Sequence, residues 1–174
     1  MRAQPITALT LAPADGAAEA DEHRLRSAIA WACMARARGH RPFGAVITSP
    51  DGTVLAEAHG GSADGSDCTA HAEINALRSL SPRLGRDVLA QATLYSSAEP
   101  CAMCAGAICW SGIGRVVYGL DTARLRRFRG RSGGQYLLDM PCRDVFATAS
   151  RPIVCIGPLL IDEAIAPHVG FWKP

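Results

Sequence analysis

Four residues of this chain can do metal and proton chemistry together. They fall in two short motifs, His71-Ala72-Glu73 and Pro100-Cys101-Ala102-Met103-Cys104. Imidazole and thiolate are ordinary zinc ligands. A hydrolytic zinc site needs three protein ligands, an open position for water and a nearby general acid/base. His71, Cys101 and Cys104 supply the ligands, one Zn²⁺ per subunit, and Glu73 is left to move protons. Cys101 and Cys104 are spaced i,i+3, so they share one face of a helix. In a first turn, unpaired N–H groups and the helix dipole favour thiolates. A structural zinc site would need a fourth ligand, for which Cys68, Cys109 and His59 are available. A lone Cys-x-x-Cys also suits a redox pair. The combined pattern favours the hydrolytic site, because it fixes four residue types at two related spacings.

The elements that must position these residues are readable in outline. Asp21 is placed to cap a helix running to about Arg38, with Leu25, Ala28, Ile29, Ala32 and Cys33 as its apolar stripe. Phe43 to Ser49 and Thr53 to Ala58 read as a hairpin around Pro50-Asp51-Gly52. His59 to Thr69 is a polar, Gly-rich loop, and Ala70 to Leu80 is a helix opening at the first motif. Gln91 to Ser96 is a strand. A helix from Pro100 to about Trp110 follows, since the fixed φ of proline suits a first turn. Gly114 to Leu120 is a further strand. Asp121 to Arg131, Pro152 to Ile156 and Leu159 to Ala166 read as helix, strand and helix. Strands alternating with helices predict an α/β sandwich with a mixed sheet whose first pair is antiparallel.

With 174 residues the chain fits one domain with a full core, here 21–174, behind a poorly ordered tail at 1–20. A net charge of +2 is too small to point to nucleic acid or a membrane surface, and no apolar run is long enough to span one. Seven cysteines with no secretory signal argue against a disulfide framework and for mostly buried thiols in a reducing, cytoplasmic setting.

The chain resembles the cytidine/deoxycytidylate deaminase superfamily over about residues 22–120. Within it, the likeness is nearest to guanine deaminases and bacterial tRNA adenosine deaminases. The resemblance rests on Pro42-Phe43-Gly44-Ala45-Val46, Thr69 to Leu77, Ser97-Ala98-Glu99-Pro100-Cys101 and Ala105-Gly106-Ala107-Ile108, beside the two motifs. It implies a three-layer α/β/α sandwich with a central mixed five-stranded sheet. It also implies that an amino-substituted ring is converted to its oxo form with release of ammonia. Glu73 would carry a proton from water to the ring nitrogen, then protonate the departing amine. The Ala72 N–H would donate to the attacking oxygen. Phe43 would line the base pocket, and Trp110 would wall it. Homodimers are general among such enzymes.

The substrate is less legible. The resemblance implies an Asn in the loop before His71, but that stretch reads His59-Gly60-Gly61-Ser62, and the only Asn is Asn75. His59, Ser62 and Asp64 are the candidates to replace it. Arg124, Arg126, Arg127, Arg129 and Arg131 form a basic run, which reads as an RNA contact or as a solvated or subunit-contact segment. The aromatic tail His168 to Trp172 must dock somewhere, as a lid over an active site or on its own subunit. The leading reading is a guanine deaminase-like enzyme acting on a small nucleobase, nucleoside or related heterocycle. A tRNA adenosine deaminase is the second reading, and a non-catalytic zinc-stabilised binding module the third.

Overall fold

The computed structural model describes residues 15–61, 67–80, 84–129 and 138–172. In chain order the elements are α1 (Asp15–Ala37), β1 (Gly44–Thr48), β2 (Val54–His59), α2 (Ala72–Leu80), α3 (Arg86–Leu89) and β3 (Thr93–Ala98). Then come α4 (Ala102–Ser111), β4 (Arg115–Leu120), α5 (Thr122–Arg129), α6 (Cys142–Ala147), β5 (Val154–Ile156) and α7 (Ile161–Ile165). A 3₁₀ turn over Ala166–His168 follows α7. The five strands form one sheet in the order β2-β1-β3-β4-β5. β1 runs antiparallel to both neighbours, while β3, β4 and β5 are parallel, so the sheet is mixed as expected.

Successive side chains of a strand point to opposite faces. Ala45, Ile47, Leu94, Val116 and Tyr118 meet Ala72, Ala76 and Leu77 of α2 and Ala105 and Ile108 of α4. Val46, Tyr95 and Val117 meet Leu25, Ala28 and Ile29 of α1 and Ala164 of α7. Both faces are covered, which makes three layers. Strands buried on both sides read as unbroken apolar runs rather than alternating ones. Gly44 sets the closest approach. A Cβ there would lie 2.2 Å from the Ala28 carbonyl oxygen and 2.5 Å from Trp31 Cβ, so glycine lets α1 ride directly on β1.

Several expectations are corrected. Helix α1 starts at Asp15, inside the stretch read as tail, because Ala17, Ala18, Glu19 and Ala20 are good helix formers. Residues 1–14 lie outside the described residues. Asp21 is not a cap. It is buried within α1, where its carboxylate accepts from Arg115 Nη1 at 2.8 Å and from the Tyr95 hydroxyl at 3.0 Å. A partner on β4 recruits it, and no local signal announces that. Cys33 faces solvent, and Ala35 continues the apolar stripe instead. The short helices α3 and α6 are too brief to show a period in the sequence. All seven cysteines are free, but only Cys104 and Cys142 are fully buried. Among the described residues, no helix is long and apolar enough to cross a membrane.

Candidate metal centre and active site

The sheet delivers the two motifs to one place. β1 separates β2 from β3, and the connections leaving β2 and β3 each run into a helix. His71 and Cys101 stand just ahead of those helices. The His71 carbonyl accepts from the Asn75 N–H at 2.8 Å, and the Cys101 carbonyl accepts from the Ala105 N–H at 2.8 Å. Each residue therefore occupies a helix-capping position, where the backbone is still extended (φ −66°, ψ 169° at Cys101) and the side chain can leave the helix. Cys104 follows in the first turn of α4 and is fully buried.

The ligand atoms of His71, Cys101 and Cys104 lie within 4.8 Å of one another. His71 Nδ1 is 3.6 Å from Cys101 Sγ and 3.4 Å from Cys104 Sγ. Zn–S bonds of about 2.3 Å and Zn–N bonds of about 2.0–2.1 Å at a tetrahedral angle require an N···S separation of about 3.6 Å. The donors therefore fit one zinc ion in both type and spacing. The protons fit too. Accepting from the Cys104 thiol holds Cys101 down at about 4, while the same contact and burial push Cys104 up. His71 is raised, chiefly by its hydrogen bond to Cys101. Both cysteines bind zinc as thiolates, so metal binding releases their protons and strengthens as pH rises.

Glu73 is 6% exposed, low enough that its charge is costly. Its Oε1 accepts from Ser96 Oγ at 3.2 Å, and its Oε2 accepts from the Cys104 thiol at 3.5 Å. Burial, then the negative charge of Cys101, raises its pKa. Glu99, next to Pro100, has a bracing role that the sequence reading did not assign. Its two carboxylate oxygens accept from the backbone N–H groups of Thr122 at 2.9 Å and Cys142 at 3.1 Å. The turn before Cys101 is thereby tied to α5 and α6.

The other expected residues divide. Ala72 is the first residue of α2 and fully buried. Phe43 precedes β1 and packs in an aromatic group, 5.3 Å from the His168 ring and 6.1 Å from that of Trp172. The tail therefore docks on its own subunit. His59 turns toward α1, with Arg38 Nη1 at 3.1 Å and the Trp31 ring at 5.9 Å, rather than toward the ligands. Asn75 braces the same loop by donating to the His59 carbonyl at 2.9 Å. Trp110 is 81% exposed at the far end of α4, about 13 Å along the axis from Cys101, so it does not wall this site. It borders a groove of about 390 Å³ with Pro152 and Ile153 instead. In the basic run, Arg124 pairs with Asp121, and Arg126 pairs with Asp139 at 2.6 Å. Ser62, Asp64 and Arg131 lie outside the described residues.

Comparison with known proteins agrees with this site. Residues 18–120 match the cytidine and deoxycytidylate deaminase zinc-binding region. The chain belongs to that family. It is a zinc-dependent hydrolase of the deaminase class. It is 44% identical over 154 residues to a probable cytosine deaminase of Schizosaccharomyces pombe, covering 88% of this chain and 93% of that protein. It is 41% identical over 98 residues to a guanine deaminase of Bacillus subtilis, covering 56% of this chain and 62% of that one. Among solved structures, one from a study of A-to-I editing by tRNA:A34 deaminases superposes with a TM-score of 0.66 at 30% identity, over 84% of this chain and 99% of that one.

Proposed function

We propose that the chain deaminates a small amino-substituted heterocycle of nucleobase size, as a guanine or cytosine deaminase does. The observation that carries the reading is Glu73, a buried carboxylate held by Ser96 beside three zinc ligands. When bound, zinc supplies a Lewis acid that lowers the pKa of a coordinated water toward about 7. Glu73 would take one proton from the attacking water and give it to the ring nitrogen, then take the remaining proton of the added hydroxyl and give it to the amine, which leaves as ammonia as the C=O bond forms. Its raised pKa suits a group that must both accept and return a proton. The Ala72 N–H, at the unpaired start of α2, donates to the oxygen that adds to the ring carbon. Phe43 gives the ring an apolar face.

A small substrate is favoured because the tail packs on Phe43 within one chain, and because two arginines of the basic run already have carboxylate partners. The working unit is a homodimer, supported by exposed Trp110 and Met103 on the apolar helix α4. Seven free cysteines suit a cytoplasmic setting. The test is ammonia release by zinc-loaded protein from guanine, cytosine, adenine, their nucleosides and pterins. Turnover of a free base or nucleoside is expected. Release from none of these, with inosine formed in tRNA instead, would replace the reading.

A further inference from the structure

Two cysteines outside the ligand set lie in contact with each other. Cys142 opens α6 and is fully buried, while Cys155 is the middle residue of β5 and half-buried. Their Sγ atoms are 3.7 Å apart. A disulfide holds its sulfurs about 2.0 Å apart, so a further approach of about 1.7 Å would bond them. The elements that carry them are short. α6 has six residues, and β5 has three and pairs on one side alone, with β4. Among the described residues, the group of three donors that could hold a metal ion is His71, Cys101 and Cys104. Cys142 and Cys155 have no third ligand beside them, so their chemistry is that of a dithiol.

The two sulfurs differ in charge and in access. Contact with Cys155, then burial, pushes the Cys142 thiol up. Cys155 is held down, first by accepting from Cys142 and then by the charge of Arg143, against the opposing effects of burial and Glu99. The Arg143 guanidinium is fixed where it acts. Its Nη1 donates to the Cys155 carbonyl at 2.8 Å and its Nη2 to the Gly157 carbonyl at 2.7 Å. A partly exposed sulfur beside a fixed cation is the setting in which a thiolate forms and reacts. The buried sulfur of Cys142 touches that one from behind.

We propose that Cys142 and Cys155 form a reversible redox site, which a small-molecule disulfide converts to an intramolecular cross-link. The Cys155 thiolate attacks one sulfur of the small disulfide. That S–S bond breaks, a small thiolate leaves, and a mixed disulfide remains on Cys155. Cys142 gives its proton to the departed thiolate, attacks Cys155 Sγ and expels the second small thiolate. Two protein thiols are oxidised, and one small disulfide is reduced to two thiols. The reverse exchange restores the pair, in keeping with the transient disulfides of reducing compartments. The cross-link also reaches toward the metal centre. The Cys142 N–H is half of the bracket on Glu99, two residues before Cys101, so bonding Cys142 to β5 ties that bracket to the sheet.

The test uses zinc-loaded protein, in which Cys101 and Cys104 are engaged. It is equilibrated with glutathione disulfide, quenched in acid, alkylated and mapped with trypsin, whose cut after Arg143 places the two cysteines on separate peptides. In wild type, a Cys142–Cys155 linked pair is expected as the main product, and dithiothreitol should reverse it. Exposed Cys33 and Cys68 should carry mixed disulfides alone. Cys142→Ala should trap the mixed disulfide on Cys155, and Cys155→Ala should leave Cys142 unmodified. The link closes a short loop of the unfolded chain, so the thermal midpoint of linked wild type should rise by up to about 10 °C. The inference fails if wild type forms no such link, if Cys142 is captured in Cys155→Ala, or if linked protein unfolds no higher than reduced protein.

Discussion

His71, Cys101 and Cys104 come from two stretches of chain, each fixed by the first turn of its own helix. Phe43, Arg129, His168 and Trp172 come from three separate places: the approach to β1, the end of α5 and the C-terminal segment. The metal centre is a product of local backbone geometry. The aromatic group of Phe43, Arg129, His168 and Trp172 is a product of long-range docking. The contrast separates donors that adjacent residues set locally from a packed group whose members meet only once the fold is complete.

The hardest test of the division is Glu73→Ala. It removes the proposed proton carrier while leaving His71, Cys101 and Cys104, so ammonia release should fall by about 10³-fold with zinc content unchanged. Retention of activity, read with metal analysis, would break the assignment. Next is Asp21→Asn, remote from both regions. It leaves Arg115 partly buried beside a neutral amide, and stability should drop by about 3 kcal/mol. In thermal unfolding that is roughly 6–12 °C for a chain of this size. Zinc stoichiometry should not change.

The smallest effect belongs to the aromatic group. The folded pKa of His168 is depressed to about 4 from 6.5. Between those values the unfolded chain holds the proton and the folded chain does not. Stability is therefore present above pH 6.5 and is lost as pH falls toward 4, by at most about 3 kcal/mol. In His168→Phe that component of the pH dependence should disappear, as read by denaturant unfolding at several pH values. A slope that survives the substitution would remove His168 from the group's energetics.

The grouping of His71, Glu73, Cys101 and Cys104 was legible because the i,i+3 cysteines share one helix face and both motifs stand at helix starts. The sheet was readable because its strands are apolar runs bounded by turns. Asp21 was misread because its partner Arg115 lies on β4, and local capping chemistry looks the same whether or not such a partner exists. Trp110 was misplaced for a related reason. Lying on the Cys helix does not fix which end of it a residue occupies relative to the site. Arg129 was visible only as one of five arginines in a run. What distinguishes it is where the end of α5 meets Phe43 and Trp172.

Glu99 carries a consequence for synthesis. A chain emerging from its N-terminus holds every zinc ligand once Cys104 has appeared. The carboxylate beside Pro100, however, closes its bracket only on the backbone of Thr122 and then of Cys142. A nascent chain therefore owns a complete set of metal donors well before it owns the frame that fixes the turn leading into Cys101. Synthesis of the metal donors and setting of the site are two events in time, separated by the arrival of α5 and α6.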